Sequence, residues 1–171
     1  GEIRLYKNIG ELEFEDITES CGISNDVASN WGISFSDINR DGYVDLQLCR
    51  YRDWFTIPDN PSIQPELWTR LYLNNSDETF TDFTTEGGLV IDPGPVFLGA
   101  FFDFNNDLWP DNHTIVDRFP GNRLFVNNEG SFTDITEEYG FSFPENDIMS
   151  NSISDYDNDG YLDIFMTNNG A

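Results

Sequence analysis

Apolar and polar residues alternate along the chain in short runs of β type. Residues 31–35 (Trp-Gly-Ile-Ser-Phe) and 98–102 (Leu-Gly-Ala-Phe-Phe) read as strands, and an acidic stretch follows each of them. Beyond the acidic stretches come residues 44–49 (Val-Asp-Leu-Gln-Leu-Cys), a weaker run at 112–116 (Asn-His-Thr-Ile-Val) and 162–166 (Leu-Asp-Ile-Phe-Met). All are short and β-rich, and none has a helical period.

The runs recur in a set order. Arg4-Leu5-Tyr6, Arg70-Leu71-Tyr72 and Arg123-Leu124-Phe125 each open a unit, and an asparagine-bearing turn follows at Asn8, Asn74-Asn75 and Asn127-Asn128. Next come Phe14, Asp16 and Thr18, matched by Phe80, Asp82, Thr84 and by Phe132, Asp134, Thr136, and then a glycine at Gly22, Gly88 and Gly140. The openings lie 66 and 53 residues apart. Repeats of this size imply stacked or radially arranged units sharing one core. Residues 1–171 then form one repeat domain, with repeat 1 at about 2–68, repeat 2 at about 69–121 and repeat 3 at about 122–171. Each unit supplies four strands, and four-stranded antiparallel units repeated radially are the blades of a β-propeller. The expected fold is all-β, with three propeller-like repeats. The chain opens on the third and fourth strands of a blade (about 3–8 and 13–18) and finishes on a first and second (about 151–155 and 162–167). That edge implies internal closure, a larger propeller, or strands exchanged between copies.

The acidic stretches are written in register three times: Asp37, Asn39, Asp41 and Asp45; Asp103, Asn105, Asp107 and Asp111; Asp155, Asp157, Asp159 and Asp163. Carboxylates at alternate positions repel unless a cation lies between them, and a hard ion taking 6–8 oxygens suits the spacing. Calcium is the natural candidate, with up to three ions bound. An EF-hand is excluded, because its twelfth position needs Glu and these loops carry Leu48, Thr114 and Met166 there.

Residues 122–128, 132–138, 31–35 and 155–160 together resemble the FG-GAP or VCBS repeats of integrin α-chain propellers. They are closer still to the cartilage acidic protein and ASPIC/UnbV group. The likeness covers nearly the whole chain apart from an insertion at 51–68. It implies calcium held between the first two strands of a blade, by side chains at loop positions one, three, five and nine and the carbonyl at seven. The implied ligands are Asp37, Asn39, Asp41, Tyr43 (carbonyl) and Asp45; Asp103, Asn105, Asp107, Trp109 (carbonyl) and Asp111; Asp155, Asp157, Asp159, Tyr161 (carbonyl) and Asp163. Loop two departs from the pattern, since Leu108 stands where Gly42 and Gly160 turn the others. A left-handed leucine costs about 1–2 kcal/mol, so loop two is expected to bind most weakly. Loop three has four carboxylates and its glycine, and is expected to bind most tightly.

The net charge of −24, with only 8 Lys plus Arg, excludes nucleic acid as a natural partner. Such charge opposes compaction, and each calcium ion would cancel two of the charges where they are densest. No run of 18 apolar residues exists, so no membrane insertion is expected. These features fit an extracellular, secreted module. In that setting Cys21 and Cys49 pair in a disulfide or remain two buried free thiols. Asn74 and Asn112 satisfy the glycosylation acceptor rule.

The expected function is a calcium-binding structural or adhesion scaffold, contacting a protein partner or self-associating through blade edges. The alternative is a lectin-like propeller, or a non-catalytic part of an enzyme, binding glycan through Trp54 and Trp68 of the insertion. No catalytic constellation stands out; the single histidine, His113, reads as structural.

Overall fold

The structure is a computed structural model that describes residues 2–24, 29–51, 69–91, 96–117, 121–143 and 147–169. The insertion beyond Tyr51, with Trp54 and Trp68, lies outside the described residues. Among the described residues the chain is all-β. The strands are β1 (Tyr6–Gly10), β2 (Glu13–Asp16), β3 (Ser29–Ser36), β4 (Asp45–Tyr51), β5 (Arg70–Asn74), β6 (Phe80–Asp82), β7 (Val96–Phe102), β8 (Asp111–Val116), β9 (Arg123–Asn128), β10 (Ser131–Asp134), β11 (Ile148–Ser154) and β12 (Asp163–Asn168). They form two antiparallel four-stranded sheets, β3-β4-β5-β6 and β7-β8-β9-β10, flanked by the pairs β1-β2 and β11-β12. The expected propeller-like blades are therefore present.

The recurring motifs explain how the third and fourth strands of each set are held. In β5 and β6 the Leu71 N–H donates to Thr84 Oγ1 (2.9 Å), the Thr84 N–H donates to Asp82 Oδ1 (3.0 Å), and Arg70 pairs with Asp82 (3.1 Å). The same contacts join Leu5, Thr18, Asp16 and Arg4, and again Leu124, Thr136, Asp134 and Arg123. Strand β2 stops at Asp16, short of the expected residue 18, because Ile17 and Thr18 turn back onto Leu5.

Period-two alternation sends successive side chains to opposite faces of a sheet. On β4 and β5, Leu46, Leu48 and Tyr72 pack with Cys21, Ile23 and the β1-β2 side. Cys49 and Leu71 instead join Val96, Val116, Phe125 and Phe132 of the next blade. This corrects the disulfide expectation. Cys21 and Cys49 are free, buried thiols on opposite faces of the β3–β6 sheet, and that sheet separates them.

The first strands of neighbouring blades approach closely at Gly32, where a Cβ would lie 2.3 Å from the Phe97 carbonyl oxygen. A polar strip crosses the same blade interface. The Gln47 amide donates to Thr114 Oγ1 (3.0 Å) and accepts from Asn112 Nδ2 (2.8 Å), while Thr114 Oγ1 donates to Asn112 Oδ1 (2.7 Å). All three side chains are buried. Their mutual pairing offsets the desolvation cost that unpaired amides would carry there.

Candidate metal centre

Each acidic loop joins the first strand of a sheet to the second: β3 to β4, β7 to β8 and β11 to β12. The loops therefore sit at one end of the blades, and neighbouring loops touch. The Arg40 guanidinium lies 5.2 Å over the Trp109 ring, and Asn106 Nδ2 donates to the Gly160 carbonyl at 3.1 Å.

All three loops fold by the same hydrogen bonds. In loop one the Asp41 N–H donates to Asp37 Oδ1 and to Asn39 Oδ1 (3.0 Å each), and the Gly42 N–H donates to Asp37 Oδ2 (2.9 Å). The Tyr43 N–H donates to Asp41 Oδ1 (2.9 Å), and the Ile38 N–H reaches back to Asp45 Oδ2 (3.0 Å). Loop two repeats the set with Asp103, Asn105, Asp107 and Asp111, and loop three with Asp155, Asp157, Asp159 and Asp163. Each of these bonds uses one lone pair of its acceptor oxygen; an ionised carboxylate has about four acceptor sites and an amide oxygen two. The backbone thus orients the acids and leaves acceptor capacity for a cation.

Leu108 has φ +74°, in the left-handed region with Gly42 (+93°) and Gly160 (+92°). The leucine does not redirect the loop; it adopts the strained turn, with its side chain 69% exposed. A second left-handed residue lies at position four of each loop: Arg40 (+59°), Asn106 (+61°) and Asn158 (+61°). The asparagines at this position were a legible signal, since Asn tolerates that region better than most residues.

Loop three brings ligand oxygens of Asp155, Asp157 and Asp159 within 4.8 Å of one another. In loops one and two the third-position amide bridges part of that space, with Asn39 Nδ2 donating to Asp41 Oδ2 (3.0 Å) and Asn105 Nδ2 to Asp107 Oδ2 (2.9 Å). Asp157 has no such donor to offer. The side-chain oxygens available are hard carboxylate and amide oxygens, gathered within 4.8 Å in loop three; such a set suits a hard cation such as calcium and suits softer metals poorly.

In loops one and two the ninth-position acid is the buried member, Asp45 and Asp111 each being 0% exposed, whereas Asp163 of loop three is half-buried. Burial raises the Asp111 carboxyl to about 6, and Asp107 and Asp103 add to the rise against N–H donors from Asn127 and Phe104. Burial likewise raises Asp45, opposed by the Asn74 and Ile38 N–H groups. A cation in the loop would act the other way on both acids. From the third strand the main-chain N–H groups of Asn74 and Asn127 donate to Asp45 Oδ1 (2.9 Å) and Asp111 Oδ1 (2.8 Å), and their side-chain amides donate to the carbonyls of Val44 (3.1 Å) and Pro110 (3.0 Å), which is the part that asparagine itself supplies.

The other sequence candidates lie elsewhere. Asn112 is 0% exposed within the blade interface and bonded to Gln47, which corrects its reading as a glycosylation acceptor. Asn74 is partly exposed, but its amide donates to the Val44 carbonyl and its Oδ1 accepts the Ser76 N–H. His113 is buried between Asn151 and Phe141, as a structural residue would be.

Comparison with known proteins agrees with the repeat reading. Residues 103–166, from the start of loop two to β12, match the FG-GAP-like repeat family. The chain is 28% identical over 171 residues to cartilage acidic protein 1 of Xenopus tropicalis, covering 95% of this chain and 24% of that protein. Its human counterpart is 28% identical over 173 residues, with the same coverage. The chain thus spans about a quarter of the length of the curated relatives it matches.

Proposed function

We propose that this chain is an extracellular, calcium-stabilised propeller module that serves as a scaffold for protein contact. The observation that carries the reading is the threefold recurrence of one loop geometry. Carboxylates are oriented by backbone N–H groups at the same positions in every loop, on a chain of net charge −24. Likeness to a cartilage acidic protein supports the extracellular setting.

Among the described residues β12 pairs only with β11, and Phe165 is 73% exposed. In both complete blades the third strand gives its asparagine N–H to the ninth-position acid. A strand of that type beside β12 would supply the same donor to Asp163.

The test is thermal unfolding in calcium and in excess chelator. A site at a hundredfold its Kd adds about 2.7 kcal/mol, and for a chain of this size that corresponds to roughly 5–10 °C per occupied loop. An unchanged melt in chelator would sink the reading.

A further inference from the structure

The loops are also joined beneath the surface. Asn127, at the end of β9, is 1% exposed. Its N–H donates to Asp111 Oδ1 (2.8 Å), and its Nδ2 donates both to the Pro110 carbonyl in loop two (3.0 Å) and to the Ile38 carbonyl in loop one (2.9 Å). Its Oδ1 accepts the Gly130 N–H (2.7 Å). Ile38 is 0% exposed, and its own N–H donates to Asp45 Oδ2 (3.0 Å). The ninth-position acids of loops one and two are therefore the two ends of one buried hydrogen-bonded chain, Asp45–Ile38–Asn127–Asp111. The Arg40–Trp109 contact spans the same pair of loops from outside. Between loops two and three the contact from Asn106 to Gly160 is exposed.

We propose that Asn127 couples loops one and two, so that an ion in either raises the affinity of the other. The inference rests on the calcium reading above. The acids of an empty loop repel one another and loosen the loop. The placement of Asp111 that suits an ion is also the one that presents Asn127 to Ile38, and through Ile38 it sets Asp45. Filling one loop therefore orders part of its neighbour, and linkage makes the effect equal in both directions. Loop two, which carries the Leu108 strain, gains from loop one what its own turn lacks.

Terbium(III), a calcium substitute, tests this because it luminesces when a nearby ring is excited. Trp109 is in loop two but its ring also lies against Arg40 of loop one, so the loop-two signal is taken as the part of the tryptophan-excited emission that Asp107→Ala removes at saturating terbium. Calorimetry counts total uptake. Asp41→Ala empties loop one at an exposed position and leaves Asn127 intact. It is expected to weaken the tryptophan-reported binding by about fivefold or more, the lower end of usual site–site coupling. Asp159→Ala, which removes the same charge from loop three, is expected to shift it less. Asn127→Ala is expected to abolish the dependence on loop one; should that variant not fold, the two aspartate variants decide. Unchanged loop-two binding in Asp41→Ala overturns the coupling, as does an equal shift from Asp159→Ala, which would mean that long-range charge alone is responsible. Absence of terbium uptake in any loop overturns the calcium reading as well, whereas uptake with independent midpoints overturns only the coupling.

Discussion

Replacing Leu108 by glycine should stabilise the protein, although it deletes an apolar side chain. Leu108 is held at φ +74° and is 69% exposed, so the mutation forfeits little buried area. Left-handed backbone costs a residue with a Cβ about 1–2 kcal/mol. Glycine avoids that cost but gains freedom in the unfolded chain, which returns roughly 0.5–1 kcal/mol. The net gain is about 0.5–1 kcal/mol, or roughly 1–4 °C for a domain of this size. The reciprocal change, Gly160→Leu at φ +92°, should lose a similar amount. Urea unfolding of both variants, with saturating calcium and with chelator, measures the pair. A destabilised Leu108→Gly, or a neutral Gly160→Leu, would refute the view that backbone strain is what distinguishes loop two.

Three further outcomes are expected. Burial lowers His113 to about 4 from 6.5. The unfolded chain binds a proton below about 6.5 while the folded one stays neutral, so stability contributed by this group is complete above 6.5 and declines by about 3 kcal/mol as pH falls to 4. His113 is the single histidine, so its ring resonances can be followed by NMR, and a midpoint near 6.5 in the folded protein would contradict the buried placement. Gly32→Ala sets a Cβ against the Phe97 carbonyl and should cost about 1–3 kcal/mol as an overpacked contact; an unchanged melt would mean that β3 and β7 can part without penalty. Cys21 and Cys49 should resist thiol reagents until the protein unfolds, since both are buried and burial pushes Cys49 up to about 12; rapid labelling of native protein would contradict this.

The strands, the blades and the loops were legible because each rests on a local pattern repeated three times. Alternation at 31–35 and 98–102 marks β3 and β7, and the glycine at position six marks the turn even where Leu108 replaces it. What was not legible depends on which face of a sheet a residue takes and on what packs there. Cys21 and Cys49 look like partners along the chain, but alternation on β4 and the position of Cys21 against β1-β2 put a sheet between them. Asn112 sits in an acceptor motif, yet it belongs to a strip whose partner, Gln47, is 65 residues away. The turn asparagines were visible as a recurrence, but the bonds from their amides to Val44 and Pro110, just before Asp45 and Asp111, need the third strand to lie beside the second.

The strip of Gln47, Asn112 and Thr114 also limits how the molecule can be rearranged. Gln47 follows loop one by two residues, the place that His113 takes after loop two and Phe165 after loop three. At that spot Gln47 meets Asn112 and Thr114 of the next blade, whereas His113 meets Asn151 on β11, so the two blades show their neighbours different surfaces. Exchanging, duplicating or shuffling whole blades would set an amide against a phenyl ring or an imidazole in place of its proper mate. The modules share one outline but carry an address, so the serial order of the blades is written into their contact surfaces and not only into the chain that links them.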